Sequence, residues 1–336
     1  MLVPIRRLRT CLVAMLAILL SSAAASAAPP AKQRPLTEAE HKAAEKAFTR
    51  PEAVLAFIQS YRAKPQPRAV PAIMRALVRH GVFRDGDGSG VYVGFIAGTI
   101  GNAGDGAGAL IESFFPMPPE DQVGLVKAIA YSGHPDWKGL LIRQAERMPA
   151  RRDLIHRFVS GSLPALEALK LDQGSSPIDV LWGRYYATGS YEPILRIVSV
   201  LDWSADGNNV ERLTIGSMAK FTLAQNAARD TDLLRLLKQA RDHEVPKTKK
   251  ILVEIIEAAE LAEVGKIRQS ALTAIDTLKA KGPADARKHQ WWGQVGQTAL
   301  ALGCVVAGVM GQVQVGIPCV IGGAVSSAAL KLTEPR

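Results

Sequence analysis

The sequence predicts an all-α protein whose body is an irregular α-solenoid or superhelix built from helical hairpins. Leu, Ile, Val and Ala recur at three-and-four spacing through residues 51–241, which is the period of an amphipathic helix. Pro or Asp opens many of these segments, and glycine follows several of them, where a left-handed residue ends a helix. No run of β-branched residues alternates with polar ones, so no sheet is expected. The glycines expected at helix ends are Gly81, Gly133, Gly161, Gly189 and Gly207.

Composition and charge narrow the class of protein. The chain has 336 residues, of which 48% are apolar and 21% charged, and this excludes a disordered, collagen-like or disulfide-dense chain. Its formal net charge of +10 suits an anionic partner such as nucleic acid, a membrane surface or an acidic polymer. Nucleic acid is not expected as the partner, because the N-terminus predicts export.

Residues 1–27 are predicted to be a secretory signal peptide. Three arginines between positions 6 and 9 precede an apolar centre over 11–20, and Ala25-Ser26-Ala27 forms a cleavage site of the A-x-A type. The protein is therefore expected to be periplasmic or membrane-associated, and a retained N-terminal anchor is the alternative. Residues 28–50 are predicted to be an N-terminal tether with a short helix over 37–48.

Helical periodicity then places the elements of the body, residues 51–245, in order. After the body, residues 246–288 are predicted to be a long charged helix and a linker. Acidic side chains lie early in the helix over 247–281 and basic ones late, which suits the helix dipole. The expected helices of the body cover 51–62, 69–80, 92–102, 107–115, 119–131, 135–147, 151–160, 164–171, 177–187, 192–201, 210–228 and 231–241.

An aromatic-bearing helix, a break and a second apolar helix recur along the body. The breaks fall at Asn102, Gly133, Gly189 and Asn226, and their spacing is close to that of tetratricopeptide-type α-solenoids. The tetratricopeptide consensus itself is not present, so the likeness is one of spacing. A compact helical bundle, in which the recurrence is accidental, is the alternative.

Residues 289–336 are predicted to form an uncharged, glycine-rich helical hairpin. No Asp, Glu, Lys or Arg occurs over 290–330, and Trp291 and Trp292 follow basic residues as at a membrane interface. The hairpin is expected to be a buried core element, a membrane-inserted hairpin or single span, or an oligomerisation surface. Small residues at every fourth position would let its two arms pack closely, with a spacing that resembles the glycine-zipper hairpins of bacterial envelope proteins. These small residues are Gly303, Ala307 and Gly311 on the first arm and Cys319, Gly323 and Ser327 on the second.

Cys304 and Cys319 are predicted to form a disulfide across this hairpin. They are the two cysteines left after removal of the signal peptide, and the midpoint between them is where the hairpin is expected to turn. Antiparallel arms would place the two sulfurs opposite each other, and an oxidising compartment favours the bond. Two buried small residues at close-packed positions are the alternative interpretation.

No catalytic, cofactor-binding or metal-binding motif is recognised in the sequence, and no cofactor is expected. Residues 85–90 resemble the front of an EF-hand calcium loop, but the twelfth position is Ile96, where a bidentate Glu is required. This segment is therefore interpreted as a flexible loop. Gly94 and Gly98 follow no strand, so they indicate close helix packing and not a dinucleotide site.

Two side-chain clusters are candidate surfaces. The densest basic cluster is a possible anion patch, although acidic neighbours also allow a solvated helix face. The aromatic cluster is expected to belong to the core and not to a ligand platform. The basic cluster consists of Arg143, Arg147, Arg151, Arg152 and Arg157, of which the first four form the possible anion patch. The aromatic cluster consists of Trp182, Tyr185, Tyr186, Tyr191 and Trp203.

Three stretches resemble those of exported helical proteins of bacteria: YVGFIAG at 92–98, AIAYSG at 128–133 and LWGRYYATG at 181–189. The resemblance covers residues 91–201, and it implies a helical-repeat fold without an activity. The sequence as a whole predicts a non-enzymatic helical scaffold that binds another envelope protein or anchors an assembly at the membrane. An envelope glycan- or lipid-acting hydrolase with a carboxylate-lined groove is the alternative.

Overall fold

The computed structural model describes residues 46–84, 89–172, 174, 176–261 and 273. In these residues the protein is all-α, as the sequence predicts, with twelve α-helices joined by turns and short 3-10 helices and without a strand. The α-helices are α1 (Pro51–Tyr61), α2 (Val70–Arg79), α3 (Gly90–Asn102), α4 (Ala107–Glu112), α5 (Gln122–Ala130), α6 (Trp137–Gln144), α7 (Arg152–Val159), α8 (Ser176–Thr188), α9 (Glu192–Val198), α10 (Val210–Ala227), α11 (Thr231–His243) and α12 (Pro246–Glu260).

Proline and glycine lie at several of these helix boundaries. Proline occupies one of the first two positions of α1, α2, α9 and α12, where its missing N–H leaves no hydrogen bond unmade. The prediction of a left-handed residue is wrong for Gly207, because Asp206 leaves the preceding 3-10 helix in an extended conformation. The other four glycines expected at helix ends do have positive φ, namely Gly81, Gly133, Gly161 and Gly189.

One predicted helix, over 164–171, does not form. The chain turns there instead, and the side chains of Leu166 and Leu169 are buried in the core. The guanidinium of Arg196 donates to the carbonyl oxygens of Leu166 at 2.8 Å and Leu169 at 2.7 Å. Backbone groups that a helix would satisfy internally are thus bound by a side chain from α9, which stabilises the irregular path.

The centre of the described core is the contact between α3 and α8. Every residue from Gly90 to Ile100 in α3 is buried. A Cβ added to Gly94 would lie 2.0 Å from the Val180 carbonyl oxygen, and one added to Gly98 would lie 2.6 Å from the Ala187 Cβ. The two helices therefore touch backbone to backbone. Partner positions increase together along both chains, so α3 and α8 run parallel.

On the α8 side of this contact, the residue that packs against α3 is also a glycine. A Cβ on Gly183 of α8 would lie 2.1 Å from the Val91 carbonyl oxygen. The close packing predicted from Gly94 and Gly98 is confirmed, and α8 supplies the complementary glycine. Side chains of ordinary size at these positions would force the helices apart, since well-packed interiors have no room for added carbon atoms.

Helix α10 lies parallel to α8 on another side. The Trp182 indole N–H donates to the Thr222 hydroxyl at 3.0 Å, and the Tyr186 hydroxyl donates to the Asn226 side-chain oxygen at 2.7 Å. The residue number increases by four on both helices from the first hydrogen bond to the second, so α8 and α10 run in the same direction. Helix α8 therefore contacts α3 with small residues and α10 with aromatic ones.

Helix α12 is joined to the body by ion pairs. Lys220 of α10 pairs with Glu254, and Lys238 of α11 pairs with Glu260. The helix predicted over 247–281 is present from Pro246 to Glu260, and most of its predicted remainder lies outside the described residues. The signal peptide over 1–27, most of the tether over 28–50 and the hairpin over 289–336 also lie outside them. The solenoid arrangement stays a prediction.

Candidate functional site

Four side chains form a partly buried charged cluster where several helices end, which we call the Arg62 cluster. It consists of Arg62, Tyr185, Asp230 and Asp232. Arg62 follows the last residue of α1, Tyr185 lies in the last turn of α8, and Asp230 is the N-cap of α11. The cluster thus joins three helices that are far apart in sequence.

Asp230 is the centre of the Arg62 cluster. Its Oδ1 accepts hydrogen bonds from Arg62 Nη2 at 2.7 Å and from the backbone N–H groups of Asp232 and Leu233 at 3.0 and 3.1 Å. Its Oδ2 accepts from Arg62 Nη2 and from the Tyr185 hydroxyl, both at 2.7 Å. A carboxylate offers about four lone-pair sites, so the acceptor capacity of Asp230 is filled.

Arg62 forms ion pairs with both aspartates. Its Nη1 donates to Asp232 Oδ2 at 3.1 Å, and its guanidinium carbon lies 5.3 Å from the centroid of the Tyr185 ring. Burial alone lowers the pKa of Arg62, but the hydrogen bond to Asp232 and the charge of Asp230 outweigh it, so the pKa is raised. Burial, together with the hydrogen bond to Asp230, raises the pKa of Tyr185 far above its usual value. The cluster therefore holds a charged arginine and a neutral tyrosine.

A second arginine, Arg184, has no carboxylate partner at hydrogen-bond distance among the described residues. Its Nη1 donates to the carbonyl oxygens of Tyr131 at 2.8 Å and Ser132 at 2.7 Å, at the end of α5. Its buried Nε has no hydrogen-bond partner there, and burial lowers the pKa of the guanidinium. Arg184 therefore serves to close the end of α5 against α8, at the cost of an unsatisfied donor.

Three of the four arginines in the predicted anion patch contact other groups of the protein. Arg143 forms an ion pair with Asp136 at 2.9 Å. Arg147 lies over the Phe115 ring at 5.6 Å, and Arg151 donates from Nε and Nη2 to the Pro119 carbonyl oxygen at 3.1 and 2.8 Å. The fourth, Arg152, is exposed. Arg147 and Arg151 contact uncharged groups, so their positive charges are not neutralised by these contacts.

The aromatic cluster is core, as predicted, for three of its members. Trp182, Tyr185 and Tyr186 are buried, and Trp182 stacks on Tyr186 with ring centroids 5.9 Å apart. Tyr191 departs from the prediction, because 42% of its surface is exposed. Trp203 is partly buried beneath the Arg212 guanidinium at 4.9 Å. Helical spacing identified the buried face of α8, but Tyr191 lies beyond the end of that helix.

The calcium-like loop gains no support as a metal site. Positions 85–88 lie outside the described residues, and Ile96, at the position of the required ligand, is fully buried in α3. No group of three or more His, Cys, Asp or Glu side chains that could hold a metal ion occurs in the stretches that the structure covers.

The predicted sites of the C-terminal hairpin lie outside the described residues. Among the helices that the structure does describe, none is both long and apolar enough to cross a membrane. The disulfide and the packing residues therefore stay predictions. These residues are Trp291, Trp292, Gly303, Cys304, Ala307, Gly311, Cys319 and Gly323.

Sequence reasoning did not single out Arg62 or Asp230. One signal was available for Asp230, because an aspartate directly before a helical period is a favoured N-cap. Nothing in the sequence pairs it with Arg62, which lies 168 positions away along the chain. Such a contact depends on how the helices pack and not on local spacing.

Comparisons with known proteins do not supply a function. No family model matches the chain, and neither the curated proteins nor the solved structures contain a match to it.

Proposed function

We propose that the protein is an exported, non-enzymatic helical scaffold of the bacterial cell envelope. In this proposal residues 1–27 direct export, and the helical body presents a surface to another envelope component. The C-terminal segment over 289–336 then provides a second point of attachment or assembly. In this proposal the helical body is a rigid connector.

The saturation of Asp230 is the observation that carries the non-enzymatic part of the proposal. A general acid or nucleophile needs a carboxylate oxygen that can reach substrate. Both oxygens of Asp230 are bound to Arg62, and they also accept from Tyr185 and from two backbone N–H groups. The carboxylates that lie closest to the core at this site therefore act in helix capping and ion pairing, which supports a structural role.

The backbone contact between α3 and α8 supports the scaffold part. Helices that touch through Gly94 and Gly183 leave little freedom to slide or open, because each backbone fills the space that the other leaves. Two further connections, Trp182 to Thr222 and Tyr186 to Asn226, bind α10 to the same helix. Rigidity of this kind suits a protein that holds its partners at fixed positions.

The export step is tested by expressing the full chain in a bacterium and separating cytoplasm, periplasm and membranes. We expect the mature N-terminus to be Ala28, and we expect Ala27→Asp to block cleavage, because the A-x-A site needs a small residue. The matched change Ala31→Asp, beyond the site, is expected to leave cleavage intact. Accumulation of the uncleaved wild-type chain in the cytoplasm would refute the proposal.

The scaffold step is tested by affinity purification from cross-linked envelopes. We expect a specific envelope protein or assembly to be recovered with the wild-type chain. The purified protein is also incubated with a panel of envelope glycans and phospholipids. Hydrolysis of any of them by the purified wild-type protein would favour the hydrolase alternative and contradict the scaffold proposal.

A further inference from the structure

The outer side of the region from α6 to α7 carries a concentration of basic side chains around one exposed aliphatic residue. We call this the basic surface. Lys138 and Arg152 are exposed, and Ile142, with 57% of its surface exposed, is among the most exposed large apolar residues described. The basic surface consists of Lys138, Ile142, Arg147, Arg151, Arg152 and Arg157.

Two arginines of the basic surface are held in place by uncharged groups. Arg147 lies over the Phe115 ring, and Arg151 donates twice to the Pro119 carbonyl oxygen. Both partners belong to the segment that joins α4 to α5, so this segment orders the two side chains. Because neither partner carries a charge, the positive charges remain to interact with an external anion.

Helix α7 adds two further basic residues, Arg152 and Arg157, to the basic surface. Its buried side is formed by Ile155 and Phe158, and at 100° per residue its outer arc runs from Arg152 to Arg157. Neither Arg152 nor Arg157 makes a side-chain hydrogen bond or ion pair within the described ranges. Asp153 lies on this arc, so the arc keeps an excess of one positive charge.

Charge compensation over the whole region is incomplete. Arg143 and Asp136 cancel each other in an ion pair at 2.9 Å. Of the remaining acidic residues between α6 and the end of α7, Glu146 and Asp153 are exposed and face five basic residues of the basic surface. The stretch from α6 to the end of α7 therefore keeps an excess of three positive charges after Glu146 and Asp153 are counted.

Ile142 distinguishes this surface from an ordinary solvated helix face. It lies four residues after Lys138 in α6, so the two side chains share one side of the helix. An exposed aliphatic side chain next to a Lys on the same helix side suits the boundary between phospholipid headgroups and acyl chains, where cations meet phosphates and the aliphatic group leaves water.

We propose that the basic surface docks the helical body on an anionic phospholipid membrane. The inference deepens the proposed function, on whose envelope location it rests, by naming the membrane surface as a component that the scaffold contacts. The contact is peripheral: phosphate groups of the lipids pair with the arginines, and Ile142 enters the headgroup region. Charge complementarity with the lipid surface, together with the exposed Ile142, selects this partner.

The test measures binding of the purified mature chain to vesicles of equal parts phosphatidylglycerol and phosphatidylcholine, and to vesicles of phosphatidylcholine alone. The variant Arg152→Gln/Arg157→Gln removes two charges that have no side-chain partner among the described residues. Each such charge contributes about fivefold in affinity near an anionic surface, so we expect binding to the mixed vesicles to weaken roughly 25-fold. Ile142→Ser is expected to weaken it severalfold further.

A matched control removes the same charge elsewhere. Arg79 and Lys250 are exposed cations on other helices, and Arg79→Gln/Lys250→Gln lowers the net charge by the same amount. We expect this variant to bind like wild type. Equal weakening by both double variants would mean that only net charge matters, and it would overturn the proposal. Circular dichroism and thermal unfolding establish that all variants are folded.

Two further outcomes would also contradict the proposal that the basic surface binds anionic membranes. The uncharged C-terminal segment could bind membranes by itself, and wild type and variants would then bind phosphatidylcholine vesicles equally well. Displacement by inorganic phosphate, at an ionic strength where chloride has no effect, would indicate a site for single anions. Failure of export in the fractionation test would leave vesicle affinity unchanged, so it would contradict the proposed function separately.

Discussion

Gly94 and Val180 are in backbone contact: a Cβ in place of a Gly94 hydrogen would lie 2.0 Å from the Val180 carbonyl oxygen. The atom in the way belongs to the main chain of α8, so it cannot move aside as a flexible side chain would. Parallel helices α3 and α8 are therefore held at a separation that only glycine permits.

The first prediction follows from this contact. Gly94→Ala is expected to lower the free energy of unfolding by about 3 kcal/mol, because the added methyl group must push two buried helices apart. Gly108→Ala is the control, since a Cβ at this position in α4 meets no atom within 4 Å. That change is expected to raise stability by about 0.5 to 1 kcal/mol. Urea unfolding measures both, and equal effects would contradict the contact.

The second prediction concerns the Arg62 cluster. Asp230→Ala is expected to cost about 3 kcal/mol of stability, because it removes the N-cap of α11 and leaves Arg62 without its main counter-charge. Asp232→Ala, at a more exposed carboxylate, is expected to cost less than about 1 kcal/mol. A double-mutant cycle with Arg62→Ala should show coupling to Asp230 above about 1 kcal/mol. Additive single changes would show that the pair does not interact.

The third prediction concerns alkaline pH. Burial raises the pKa of Tyr61 from 10.0 to about 12. Between these values the unfolded chain loses the proton and the folded chain keeps it, so stability is full below pH 10.0 and falls as pH rises towards about 12. Tyr61→Phe is expected to make this fall shallower. Unfolding at stepped pH measures it, and an unchanged slope in the variant would contradict the shift.

The fourth prediction tests the C-terminal cysteines. The exported mature chain should contain the disulfide between Cys304 and Cys319, and its intact mass without reductant should be two hydrogens lighter than after reduction. Cys304→Ser is the control, because it removes the mass difference. Two free thiols, both alkylated in the unreduced chain, would refute the pairing.

Helix boundaries were predictable from sequence because their causes are local. Proline at the start of α12 and left-handed Gly189 after α8 act on the backbone that carries them. The failure over 164–171 has a distant cause, since Arg196 binds two carbonyl groups of that segment. Local periodicity contains no information about such a partner.

The candidate site was less predictable than the fold for the same reason. The glycine spacing in α3 predicted a close helix contact, but it did not identify α8 as the helix that supplies Gly183. Likewise, Asp230 has the signature of an N-cap, while its pairing with Arg62 arises from tertiary packing. The basic cluster was predicted from the density of basic residues in the sequence. The uncharged groups that contact Arg147 and Arg151 could be identified only from the structure.

The complete burial of α3 has a consequence for the order in which the chain folds. Its residues from Gly90 to Ile100 are uncharged and mostly apolar, and their principal partner, α8, begins at Ser176. During synthesis this segment is therefore finished long before the surface that covers it exists. Uncharged apolar segments of this kind aggregate when exposed. Chains truncated before α8 should therefore need chaperones to stay soluble. Productive folding requires that α8 has been synthesised.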